Sequence, residues 1–171
     1  VVTSTKDSER KKLVERYVDI AEQCLELNNF SGLVVFLNAL RSPRLAKLPK
    51  IFGKKVLKRL EALQPLTDGN CKEIRVRQES RSPSLPYVQS WMDDMAMLEH
   101  SNPDYLPGTQ LVNWRKVQLL GMALRRPQEF LRSTGYTAFS PKQPVVAFIH
   151  SMQPSMTEEQ LTQAFDAAAS K

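Results

Sequence analysis

The stretch from Pro86 to Asn113, PYVQSWMDDMAMLEHSNPDYLPGTQLVN, decides how the rest of the chain is read. Val88, Trp91, Met92, Met95 and Leu98 recur at steps of three and four. That spacing predicts a helix with one apolar stripe turned toward other apolar material. Asp93, Ala96, Met97 and His100 fall on another face of the same helix. Asn102-Pro103 ends it, because proline disfavours helical backbone in the residue before it. Pro107-Gly108 turns the chain, and Leu111 opens a second helical pattern. The product is a helical hairpin over about 86–126. Such a hairpin buries one side and can offer the other to a partner.

Upstream of the hairpin the same periodicity continues. A first helix is expected from about Ser8 to Asn28, with Leu13, Tyr17, Ile20, Ala21, Cys24 and Leu27 turned inward. Asn28-Asn29 closes it, since asparagine tolerates left-handed backbone, and Asn29 or Ser31 can cap the next helix. That helix, Gly32 to Leu40, is apolar nearly all round, which predicts a place at the centre of the domain. Ser42-Pro43 breaks it, and Arg44 to Pro49 reads as a basic connector. A third helix, about Phe52 to Leu63, has Val56, Leu57, Leu60 and Leu63 inward. Pro65 and Thr67-Asp68-Gly69 predict a turn, and the polar stretch Asn70 to Pro83 a loop.

Downstream, the second hairpin arm runs from Leu111 to about Arg126. Pro127 is expected to kink it or to restart it over Gln128 to Arg132. Ser140-Pro141 precedes a short apolar helix from about Gln143 to Met152. Thr157 with Gln160 three residues on predicts a capping box for the last helix, whose inward face is Leu161, Ala164 and Phe165. No stretch alternates as a strand would. The expected fold is all-α, a multi-helix orthogonal bundle with a protruding helical hairpin, in one domain over 1–171.

At 171 residues the chain is long enough for one domain with a real core, and 42% hydrophobic residues suffice to fill it. No apolar run is long enough to span a bilayer, and the first residues carry no signal pattern, so a cytoplasmic protein is expected. Two cysteines make no disulfide framework; Cys24 reads as a small core residue. The net charge of +6 is unevenly spread. Arg41, Arg44, Lys47, Lys50, Lys54, Lys55, Lys58 and Arg59 follow one another without an intervening acid. They form a candidate contact with an anionic membrane, against the simpler reading of a solvated face and loop. No aromatic ladder accompanies them, which argues against nucleic acid.

Catalytic chemistry finds little to build on. The only histidines are His100 and His150, and His150, after an apolar run, reads as a core or boundary residue. No Cys-x-x-Cys, His-Glu-x-x-His or glycine-rich phosphate loop occurs. Asp93 and Asp94 are adjacent, so on a helix they point about 100° apart and do not converge on one bond. They read as a solvated acidic patch. No catalytic residue, metal site or cofactor is expected, and the chain is read as working by binding.

Several stretches in order resemble the catalytic domain of the Ras-family guanine nucleotide exchange factors. They are Ala21 to Phe30 with its Leu-Asn-Asn-Phe junction, Ser42-Pro43 followed by Arg44-Leu45, the Met92 to Glu99 run, Asn102-Pro103-Asp104, Leu111 to Trp114, and Ser155 to Phe165. The wording is closest to the Ral-directed branch. The resemblance implies a partner, a Ras-like small GTPase such as Ral, Rap or Ras. It also implies a mechanism in which the hairpin wedges beside the nucleotide site, displaces a switch segment and promotes GDP release. The alternative is a catalytically inactive exchange-factor-like domain that serves as a signalling scaffold. Carried over by position, the GTPase-binding set is Asp93, Ala96, Met97, His100 and Asn102 on the hairpin, with Arg41 where the family usually has an amide side chain. Ala96 stands where the family often has a large apolar residue, and His100 where some branches have an acid. The family's domain begins well before the position of Val1, so the chain is expected to lack the N-terminal part of that domain.

Overall fold

The computed structural model describes residues 1, 4, 6–80, 83–132, 135–151 and 156–169. Among them every regular element is helical. The first, α1 (Asp7–Glu26), buries Val14, Val18, Ala21 and Cys24. The buried stripe is rotated from the expected one. Leu13, Tyr17 and Ile20 are its half-buried flanks, and Leu27 lies exposed just past the helix end. Asn28 then takes left-handed backbone, φ 55°, as its type allows. The next helix, α2 (Phe30–Leu40), is capped by Asn29, whose Oδ1 accepts from the Gly32 N–H at 2.8 Å. Phe30, Leu33 and Leu37 are fully enclosed at the centre of the core. Burial of α2 all round is expected from its composition and does not occur: Val35 is 63% exposed.

The connector after α2 is more ordered than its composition suggests. Ser42 caps a one-turn helix α3 (Pro43–Ala46), its Oγ accepting from the Leu45 N–H, and a 3-10 turn follows over Pro49–Ile51. Leu45, Leu48 and Ile51 are all buried, and this apolar anchoring fixes the chain between the basic residues.

The largest departure is α4 (Lys54–Ser80), which continues through Pro65 and through the stretch expected to be a loop. The breakers leave a mark: Gly69 and Cys71 take left-handed φ values of 56° and 58° inside the element. Burial outweighs them. Leu60, Leu63 and Leu66 before the irregularity, and Cys71, Ile74 and Gln78 after it, all lie against the core. The second of these sets includes a polar residue, so the stretch looked unpatterned. Leu57, expected inward, is exposed.

Two helices form the hairpin, α5 (Val88–Ser101) and α6 (Trp114–Arg132), the latter continuing through position 127. Beyond it, α7 (Gln143–Ser151) buries none of its residues: Val145, Phe148 and Ile149 are exposed, and so is His150, which is therefore no core histidine. The proposed last residue of that helix, Met152, lies outside the described residues. The final helix, α8 (Glu158–Ala169), opens with the expected capping box. Thr157 N–H donates to Gln160 Oε1 at 2.9 Å, and Gln160 N–H to Thr157 Oγ1 at 3.2 Å. Phe165 is its buried anchor, with Leu161 and Ala164 half-buried beside it.

The basic stretch is only partly a solvated face. Arg59 pairs with Asp19 and Glu22 of α1, Arg44 with Glu158 and Lys47 with Asp166 of α8. These pairs bring acids from both ends of the chain to the central cations. No helix among the described residues is long and apolar enough to cross a membrane.

Two expectations test this account. A Cβ added at Gly32 would stand 2.9 Å from Asn29 Nδ2 and 3.0 Å from Cys24 Sγ. Gly32→Ala should therefore lower stability by about 1 kcal/mol through loss of the cap, although alanine is the better helix former. A raised urea midpoint would contradict the packing. Arg44 holds the Glu158 carboxyl below its ordinary pKa, so the pair's contribution is present above that value and lost as pH falls through the lowered one. Glu158→Gln should lower Tm at pH 7, and the deficit should shrink as pH falls below the ordinary carboxylate range; a deficit that does not change with pH would assign the effect elsewhere.

Candidate functional site

The hairpin is attached to the bundle at its root by polar groups. Gln78 of α4 is 2% exposed. Its Oε1 accepts from the Tyr87 N–H at 3.1 Å, and its Nε2 lies 3.5 Å from Ser90 Oγ. Tyr87 immediately precedes the first residue of α5, and Gln78 satisfies its backbone donor from α4. Arg75, one turn earlier, pairs with Asp94 at 2.6 Å and donates to the Ser90 carbonyl at 3.1 Å. Asp94 is thus a structural ion-pair partner rather than half of a solvated patch. Arg126 of α6 reaches Glu79 of α4 at 3.5 Å. The chain entering the hairpin is tied to the α1–α2 turn as well: Leu85 N–H donates to the Asn28 carbonyl and Phe30 N–H to the Leu85 carbonyl, each at 2.9 Å.

Trp91 is buried, its ring 5.3 Å from that of Phe130 on α6. Met95 and Leu98 are half-buried with it. Val88 and Met92, expected on the same stripe, are exposed. The stripe is narrower than predicted because α6 covers one side of α5 only, and α4 reaches just its first turns.

The five hairpin residues selected from the sequence differ in exposure. Ala96 and His100 are exposed, Met97 is 64% exposed, and Asp93 and Asn102 are half-buried. Asp93 accepts from Gln89 Nε2 at 2.9 Å, which holds the carboxylate along the helix. His100 Nδ1 sits 2.7 Å from the Ala96 carbonyl, a contact a protonated Nδ1 donates, and this directs Nε2 outward. Asn102 Nδ2 donates to the Leu98 carbonyl at 2.8 Å and closes the helix end. Met97 also borders a groove of about 310 Å³ between the arms, with Trp91, Leu98, Leu119 and Met122.

Arg41 stands apart from this group. It lies at the end of α2, and its Nη1 donates to Thr67 Oγ1 of α4 at 2.6 Å. It borders a second groove, of about 340 Å³, with Leu40, Phe52, Leu57, Leu60 and Gln64. The structure therefore gathers five of the six sequence-selected residues on one arm and puts the sixth on the bundle.

Sequence reasoning missed the residues that hold the site: Arg75 and Gln78, in a stretch taken for a loop, and Asn113 and Lys116 at the hairpin turn. Asn113 had a legible signal, since asparagine directly before a helical pattern is a cap. Its Oδ1 accepts from the Lys116 N–H, and its Nδ2 donates to the Pro103 carbonyl at 2.9 Å. Among the described residues, no three or more His, Cys, Asp or Glu side chains gather as a metal site would need.

A family model described as the RasGEF domain matches residues 1–118. Ras guanine nucleotide exchange factor M of Dictyostelium discoideum is 25% identical over 94% of this chain and 18% of its own length. Ral guanine nucleotide dissociation stimulator-like 3 of Mus musculus is 26% identical over 90% of this chain and 24% of its own. Guanine nucleotide exchange factor SDC25 of Saccharomyces cerevisiae is 31% identical over 62% of this chain and 9% of its own. The chain thus spans less than a quarter of each of these relatives.

The anchoring makes a direct prediction. Gln78→Ala leaves the Tyr87 N–H without its partner and empties an enclosed position. A loss of about 2 kcal/mol is expected in urea denaturation. A change within about 0.5 kcal/mol, the range of ordinary surface substitutions, would remove Gln78 from the root.

Proposed function

Because the chain belongs to the RasGEF domain family, whose model matches residues 1–118, we propose that it is a guanine nucleotide exchange module that promotes GDP release from a Ras-like small GTPase. In this reading the catalytic domain extends over 1–171, and the hairpin over about 86–126 is its working part. The observation that carries it is the two-sidedness of α5: Trp91 is buried, while Ala96, Met97 and His100 stand free on an arm anchored at its root. Asp93, Ala96, Met97, His100 and Asn102 are the proposed contact face. The module acts by binding the nucleotide-free GTPase more tightly than the loaded one. By linkage, nucleotide affinity then falls by the same factor, with no bond made or broken.

Ral is the GTPase to try first. The hairpin's wording supports that choice, as does the similarity to the mouse Ral guanine nucleotide dissociation stimulator-like 3. The rival reading is a binding scaffold without exchange activity. It is favoured by Arg41, whose guanidinium is engaged by Thr67. The setting implied is cytoplasmic, next to membranes that carry the GTPase. For contact with anionic lipid, Lys50, Lys54, Lys55 and Lys58 are better candidates than Arg44, Lys47 and Arg59, which the acids of α1 and α8 engage.

Release of a fluorescent GDP analogue from Ral, Rap and Ras, each mixed with the chain, tests the proposal. Acceleration of at least one is expected. The double variant M97A/H100A should reduce it about tenfold or more at unchanged Tm, since both side chains are exposed. Binding without acceleration would establish the scaffold reading, and full activity of the double variant would remove the hairpin face from the mechanism.

A further inference from the structure

The hairpin's far end carries an arrangement that its two helices do not explain separately. Lys116 stands in the first turn of α6, three residues after the capping Asn113. A cation there opposes the helix dipole. Its side chain is only 7% exposed, whereas lysine is almost never buried unless paired. Glu99 stands in the last turn of α5, where an acid is likewise of the wrong sign for its own helix. Each residue is unfavourable alone. Across the turn they meet, Lys116 Nζ to Glu99 Oε1 at 2.9 Å, and the same ammonium holds Asp104 Oδ1 at 2.6 Å.

Backbone bonds complete the closure. Asn113 N–H donates to the Asp104 carbonyl at 2.7 Å, and Leu106 N–H to the Leu111 carbonyl at 2.9 Å. One ammonium thereby joins the end of α5, the first residues of the turn and the start of α6. Both carboxylates raise the Lys116 pKa, Asp104 more than Glu99, so the ammonium stays charged throughout the neutral range. Glu99 is the immediate neighbour of His100, and Asp104 follows Asn102 by two residues. Whatever fixes Glu99 and Asp104 fixes the outermost part of the proposed contact face.

We propose that Lys116 is a positioning residue that preorganises the tip of the hairpin, holding His100 and Asn102 in the orientation a partner meets. It touches no partner itself. The proposal rests on the exchange reading for its functional consequence, though the grip itself is independent of it. Without the ammonium, the two carboxylates lose their shared partner and repel each other, and the tip samples other arrangements. Only the fraction of molecules with the tip in place is then competent to bind. Apparent affinity falls by that fraction, while the rate at saturation is kept, because bound molecules all have the tip in place.

The variants are Lys116→Met, which keeps length and apolar bulk, and Lys116→Arg, which keeps the charge. Amide hydrogen exchange over residues 104–113 reads the grip, and GDP release at increasing chain concentration reads its consequence. Lys116→Met should deprotect the tip amides and raise the half-maximal concentration about fivefold for a competent fraction of about one fifth, with the maximal rate kept within about twofold. Lys116→Arg should restore both. An active parent chain with an unshifted half-maximal concentration in Lys116→Met would overturn the proposal, as would a loss confined to the maximal rate. Should the parent chain not accelerate release at all, the exchange reading fails. The amide exchange then decides the grip alone: deprotection in Lys116→Met sustains it, and unchanged protection refutes it.

Discussion

The structure depends on one buried amide. Gln78 lies within the bundle and accepts a backbone N–H at the start of α5, a donor that no side chain of α5 satisfies. A helix that leaves a bundle must have its first donors bonded, or the departure point costs as much as a lost hydrogen bond. Meeting that requirement from α4 fixes where the hairpin begins. Arg75 adds direction, since its guanidinium holds both a carbonyl and a carboxylate one and two turns along α5. Polar anchoring of this kind is more directional than apolar packing, which tolerates sliding and rotation.

The same logic explains what was legible in the sequence. Local chemistry carried over well. The Asn29 cap, the left-handed Asn28 and the Thr157–Gln160 box all depend on residues within four positions of one another. The two faces of α5 are readable for the same reason, since helical periodicity separates Trp91 from Ala96 and His100. What failed was non-local. The turn signals around Gly69 were real, as the two left-handed residues show, but Leu66, Cys71 and Ile74 hold the chain against the core on both sides of them. Because those signals end the expected helix early, Arg75 and Gln78 fall in an apparent loop, whereas both belong to α4. The width of the apolar stripe on α5 was misjudged because a periodic pattern does not say how many neighbours a helix has. Val88 and Met92 continue the pattern, yet both are exposed.

Charge tells a similar story. Eight cations without an acid look like a docking surface when read along the chain. In the fold the acids arrive from elsewhere: Asp19 and Glu22 from α1, Glu158 and Asp166 from α8. These pairs lie near the surface and each contributes little to stability. Their effect is on register. They place α8 against α3 and α1 beside α4, while Phe165 and the enclosed residues of α1 supply the burial.

A wedge that works by differential binding must be stiff, because every arrangement it can adopt without its partner dilutes the one that binds. The hairpin is stiffened at three places by three different means. At its root it has the buried polar groups of α4, and along its length the Trp91–Phe130 contact. At its tip an ammonium bridges the two arms. Between these points the proposed contact face has little to do with stability. Ala96, Met97 and His100 are exposed, and none of them packs into the core. Support and contact are thus divided between opposite sides of one helix. That division leaves the proposed contact face free to vary, as at Ala96 and His100, without disturbing the arm that carries it.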